Sequence, residues 1–115
     1  MAISEFEIKR CEKYVSEYIA KNRPPAYVRN EVDLCYRIEG QSILIYELRS
    51  LWNNPEQKIE SMVAKTTYVK KDKLWKVFWH KSDMKWHSYE PVPIVKTLED
   101  FLSTIDTDKY GCFYG

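Results

Sequence analysis

The sequence predicts an α+β domain: a five-stranded antiparallel meander sheet with N- and C-terminal helices packed on one face. Three observations predict it. Apolar residues recur at helical spacing at the start of the chain, the period switches to two from Glu31, and helical spacing returns after Thr97. Turn-forming residues separate the period-two runs at short intervals, which makes consecutive strands antiparallel neighbours. The chain has 115 residues, enough for one core and too few for two, so residues 1–115 read as a single domain.

The first helix is expected from about Ser4 to Asn22. Ser4 and Glu7 have the spacing of a capping box, in which each side chain satisfies the other's free amide. Ile3 and Ile8 flank it as a hydrophobic staple. Ile8, Cys11, Val15, Tyr18 and Ile19 then form one apolar stripe. Pro24 and Pro25 stop the helix, because proline lacks the amide hydrogen and disfavours α geometry before it.

Val32, Leu34, Tyr36 and Ile38 alternate with polar residues and read as a strand with one buried face. Glu39 to Ser42 is the turn, and Ile43 to Arg49 the returning strand. A two-residue loop would set Leu34 against Glu47 and mix the faces. A bulge near Gly40 would instead match Ile38 with Leu44, Tyr36 with Tyr46 and Leu34 with Leu48, and this register is the expected one. Ser50 to Gln57 reads as a loop. Further strands follow at about Ile59–Lys70, Leu74–Lys81 and Lys85–Tyr89, with turns at Lys71-Asp72 and around Asp83. Pro91 and Pro93 stop the sheet. Thr97 caps a helix over Leu98–Ile105, where Leu98, Phe101, Leu102 and Ile105 share a face. The aromatic ending Gly111-Cys112-Phe113-Tyr114-Gly115 predicts a tail docked on the body.

Composition excludes several classes. The hydrophobic fraction is 44% and the aromatic fraction 15%, too high for an intrinsically disordered chain. A net charge of +1 excludes a globally basic protein that coats nucleic acid. No apolar run is long enough to cross a bilayer, and the acidic start lacks the basic and apolar regions of a secretory signal. Cys11, Cys35 and Cys112 are odd in number and contain no CxxC pair, which fits free thiols in a reducing cytoplasm. No membrane contact is expected.

One stretch has a distinctive pattern: Ala64-Lys65-Thr66-Thr67-Tyr68, then Trp75-x3-Trp79, then Asp83-x2-Trp86-x2-Tyr89, closing on Gly111-Cys112-Phe113-Tyr114-Gly115. In these residues the chain resembles a family of small bacterial proteins, the domain of unknown function 3024. The likeness is densest from Ala64 onward. It implies a stand-alone bacterial domain. No activity attaches to that family, so the resemblance assigns no catalytic or binding residue.

Charge and aromatic residues concentrate together. Residues 65–85 carry seven lysines against Asp72 and Asp83. If even-length turns join the last three strands, Tyr68 faces Trp75, Ala64 faces Trp79 and Lys81 faces Trp86. Trp75, Val77, Trp79 and Trp86 then point into the core. Lys65, Lys76, Phe78, His80, His87 and Tyr89 point outward, with His80 beside His87 and Phe78 beside Tyr89. This outer patch is the expected binding surface. The first reading is a non-enzymatic interaction module that meets a protein partner or a second copy, since aromatics are enriched at interfaces. The second is a single-stranded nucleic-acid binder, with bases stacked on the rings and phosphates on the lysines. Cross-strand pairing and edge protection alone also explain such residues.

A weaker reading joins His80 and His87 across the hairpin with Cys112 as a metal site, although the spacing matches no zinc pattern. Cys112, a histidine and Asp83 are the residue types of nucleophilic catalysis, yet nothing in the sequence brings them together. Glycine-rich phosphate loops, H-E-x-x-H and G-x-S-x-G are all missing. No catalytic residue and no cofactor is assigned. Asp106 and Asp108 read as a solvated helix stop, and Cys11 and Cys35 as small buried apolar groups.

Overall fold

The computed structural model describes residues 5–51, 53–109 and 111–113, without the side chains of Glu5 and Pro55. The order is α1 (Glu5–Asn22), a short 3-10 turn (Ala26–Val28), β1 (Val32–Glu39), β2 (Ser42–Leu51), β3 (Asn54–Val69), β4 (Leu74–His80), β5 (Trp86–Ser88), β6 (Ile94–Val95) and α2 (Leu98–Thr107). The sheet runs β1-β2-β3-β4-β5 as an antiparallel meander. The expected α+β architecture is present. A sixth strand extends it: β6 pairs with β4 beside β5, so both lie along the same edge of β4. Pro91 and Pro93 interrupt this edge and do not end it, because Pro93 still offers its carbonyl to the Val77 amide at 2.9 Å.

Both helices contribute to one core on one face of the sheet. Cys11, Val15 and Tyr18 of α1 and Leu98, Phe101, Leu102 and Ile105 of α2 cluster with Leu34, Ile43, Ile45, Ala64, Trp75 and Val77. The helical stripes are those the spacing predicts. Ser4 and Ile3, from the expected capping box and staple, lie outside the described residues. At the other helix the cap is formed: Thr97 Oγ1 accepts the Asp100 amide at 3.1 Å. α2 ends at Asp108, whose left-handed backbone (φ 43°) closes it and whose Oδ1 accepts the Phe113 amide at 3.0 Å. The supposed solvated stop therefore anchors the tail. Phe113 is buried and its ring lies 4.8 Å from that of Tyr89.

Three expectations about strands are corrected. β1 and β2 join through the two-residue loop Gly40-Gln41, with Gly40 at φ +58°, and no bulge intervenes. Leu34 does stand opposite Glu47, and Tyr36 opposite Ile45. The β-branched Ile43 and Ile45 take the core face and are fully buried, which turns Leu44, Tyr46 and Leu48 outward. The bulge falls instead in β3, where the pairing shifts between Ile45 and Tyr46; Val63 and Ala64 are both buried in the core there. The expected Ser50–Gln57 loop is mostly strand, since β2 runs to Leu51 and β3 starts at Asn54.

The third correction matters most for function. Tyr68 pairs with Trp75 and Ala64 with Trp79, as even turn length requires. Between β4 and β5, however, His80 pairs with Trp86 and Trp79 with His87. The Lys81 amide donates to the Lys85 carbonyl (3.1 Å) and the Met84 amide to the Lys81 carbonyl (2.9 Å), leaving three loop residues with Met84 left-handed at φ 65°. That is a three-residue hairpin loop. One residue of slip moves every β5 side chain to the other face.

Candidate functional site

The face of the sheet opposite the helices is the candidate surface. Its rows follow from the register. Arg37, Leu44, Lys65, Phe78 and Ser88 form one row across five strands. Glu39, Ser42, Thr67, Lys76 and Ile94 form the next. Cys35, Tyr46 and Met62 lie on the far side of the first row, with His80 and Trp86 at the same level.

Of the six residues predicted for this patch, Lys65, Lys76, Phe78 and His80 are on it. His87 and Tyr89 are not. The odd loop places them on the helix side, where Tyr89 is 2% exposed and belongs to the core. Trp86, expected inside, takes their place on the outer face. Its ring meets that of His80 edge-on, with centroids 5.0 Å apart and planes at 68°.

Lys65 is the centre of the patch. Its ammonium lies 5.5 Å from the Phe78 ring and 5.8 Å from that of Trp86, within cation–π range of both. Two strands away Arg37 makes the matching contact, 5.1 Å above Tyr46. Arg37 Nη1 also donates to both oxygens of Glu60, at 2.9 and 3.1 Å. Its Nε sits 2.9 Å from Glu39 Oε1, close enough for an ion pair, but the alignment is too poor for a hydrogen bond. Leu44 stands between Arg37 and Lys65 and is only 6% exposed although it is outside the core cluster. Arg37 and Tyr46 escape the sequence reading because the β1–β2 register decides their face. Burial raises the Tyr46 hydroxyl above its ordinary range.

The proposed metal set does not assemble. His80 and His87 point to opposite faces of β4–β5, and no group of three or more His, Cys, Asp or Glu capable of holding a metal occurs among the described residues. On the helix side His87 does meet Asp83: its Nε2 donates to Asp83 Oδ2 at 2.8 Å, and this bond holds the Asp83 carboxyl below the usual carboxylate range. Trp79, Lys81, His87 and Cys112 line a groove of about 320 Å³, with Lys81 5.0 Å above the Trp79 ring. The thiol and the imidazole thus line one groove, while Asp83, bonded to His87, is not among its lining residues. The Cys112 thiol is shifted up, first by burial and then by Asp108, the opposite of an activated nucleophile. Cys11 is pushed up to about 11, mainly by burial, as an inert core thiol. Cys35 is half-buried on the outer face beside Tyr46, a correction to its expected place in the core.

The fold and this surface define a small α+β domain with one helix-covered and one helix-free sheet face. The chain belongs to the family described as domain of unknown function (DUF3024), whose profile matches residues 3–115. No curated protein and no solved structure matches the sequence. Among the described residues no helix is long and apolar enough to cross a membrane.

Proposed function

We propose that this chain is a non-enzymatic interaction module that docks a protein surface on its helix-free sheet face, and that its partner is a second copy of itself. The carrying observation is the cluster of Lys65, Phe78 and Trp86, in which two rings and a cation lie together on the sheet face that no described helix covers. Aromatic side chains supply large contact area at small entropic cost and dominate such interfaces.

The charge layout supports self-pairing. Glu39 on β1 and Lys76 on β4 stand toward opposite sides of one row, while Glu60 and Lys65 share β3 and Glu60 is held by Arg37. A two-fold axis lying in the interface along the strands sets Glu39 of each copy over Lys76 of the other, as an isologous contact requires, while the rings supply most of the contact. Five strands about 4.8 Å apart and about 8 residues long present roughly 650 Å². That is near the ~800 Å² per partner of standard interfaces, which fits a reversible dimer. A cytoplasmic location in a bacterial cell is part of the proposal, supported by three cysteines held as thiols.

Sedimentation across a concentration series tests it. The expected result is concentration-dependent dimerisation, changing little with salt and abolished in Phe78→Ala/Trp86→Ala at unchanged helix content. A monomer at every concentration overturns the reading. Capture of single-stranded oligonucleotides that weakens steeply with salt would replace it with the nucleic-acid reading.

A further inference from the structure

A second feature, on the helix side and independent of the outer face, also has the form of a binding site. A cleft of about 230 Å³ opens between the first turns of α1, the β3–β4 loop and the start of α2. Its floor is aromatic: Tyr68 and Trp75 pair across the strands with centroids 4.9 Å apart, and Tyr14 adds a third ring. Its rim is cationic. Arg10, Lys73 and Lys96 come from three separate elements and converge on it. The pairing of Trp75 with Val95 explains why Lys73 and Lys96, each close by in sequence, arrive at the same end of the sheet.

The cations are not equivalent. Arg10 is committed, since Tyr14 bonds its guanidinium and Glu7 and Glu99, which also line the cleft, lie near it; all raise its pKa. Lys73 and Lys96 are exposed, and neither forms an ion pair with a described residue. Lys73 also holds a left-handed backbone (φ 52°), a conformation that glycine or asparagine adopts at lower cost. From that position Lys73 lines the cleft rim. Three cations against two carboxylates leave one net positive charge around a floor of rings tilted at 48°.

We propose that this cleft binds a small monoanion with a planar apolar body, the class of the aromatic monocarboxylates. The ring lies on Trp75 and Tyr68, and the carboxylate sits between Lys73 and Lys96. The volume, under the ~300 Å³ lower bound of drug-sized sites, selects a single-ring ligand. Paired cationic groups at the rim give orientation, and the ring contact gives affinity.

Titration of the full chain with benzoate, followed by 1H–15N NMR, tests the proposal. Saturable shifts confined to the Trp75 indole and the amides of Lys73, Lys96 and Leu98 are expected. Benzamide, isosteric and neutral, should bind at least about tenfold more weakly. The Lys73→Gly/Lys96→Ala variant, chosen so that the loop keeps its left-handed turn, should lose at least about tenfold in benzoate affinity with its melting temperature retained. Shifts that do not saturate, equal binding of benzamide, tighter binding of inorganic phosphate, or unchanged affinity in the variant would each overturn it.

Discussion

Trp86 faces His80 across β4 and β5, edge against face at 5.0 Å, and does not enter the core. The cause is local. Ser82, Asp83 and Met84 form a loop with an odd number of residues, fixed by the hydrogen bonds of Lys81 with Lys85 and Met84 and by the bond from the Lys85 amide to Asp83 Oδ1. An even loop would have buried Trp86 and exposed Tyr89. The outer face therefore owes one of its rings to a single turn.

Met84 occupies the left-handed position of that loop and is 77% exposed. Its side chain contributes little packing, while its backbone carries a strain of about 1–2 kcal/mol that glycine avoids. Met84→Gly should raise stability by about 0.5–1 kcal/mol after the extra freedom of the unfolded chain is subtracted. Urea unfolding with an unchanged m-value would show it. A loss of stability would mean that the loop is not held in this geometry.

The same residue shows where sequence reading stops. The helix stripes were legible because Val15, Phe101 and Ile105 repeat at a period that nothing else imitates. Turn length was legible at Lys70–Lys73, where Tyr68 and Trp75 pair as expected. It was hidden at Ser82–Met84: no glycine marks the left-handed position in either turn, which is Lys73 in one and Met84 in the other, and the even length expected of both held only at the first. The β1–β2 register was hidden differently. Ile43, Leu44, Ile45 and Tyr46 are apolar on both faces, so alternation alone does not choose between them. Four of the six predicted patch residues kept their place, because Lys65, Lys76, Phe78 and His80 depended on the β3–β4 turn, and His87 and Tyr89 on the hidden one.

Among the described residues Thr66 is the one buried residue outside the hydrophobic set, with its side chain fully enclosed. Its Oγ1 donates to the Lys76 carbonyl at 2.8 Å, tying β3 to β4 beyond the backbone ladder. Thr66→Val keeps the shape but removes this bond and adds no other. A loss of about 1–2 kcal/mol is expected, visible as a lower urea midpoint.

Asp33 couples the end of α1 to β1. Arg23 donates to both of its oxygens at 2.7 Å, and this, with the Leu34 amide, holds its carboxyl below the ordinary value of 3.8. A lowered folded pKa means that the stabilisation is complete above the unfolded value and is lost as pH falls through the folded one. Asp33→Asn should therefore melt below the wild type at neutral pH. The gap should narrow as the pH drops below about 4, where the unfolded carboxyl begins to protonate. A gap independent of pH would assign the effect to packing and not to charge.

Phe113 closes the core from the tail. It is 7% exposed, stacks at a tilt on the buried Tyr89, and is held in place by the hydrogen bond its backbone N–H donates to Asp108 Oδ1. The left-handed turns at Asp108 and Gly111 bring the chain back to reach that position. Phe113→Ala should cost about 3 kcal/mol, at the low end for a buried phenylalanine because a terminal segment can partly relax. Asp108→Ala should cost less and in the same direction, since it removes the anchor but leaves the ring. Thermal melts of both variants, with amide exchange of Tyr89 as a local probe, separate the two contributions. If exchange at Tyr89 stays protected in Phe113→Ala, then the tail is an appendage and not part of the core.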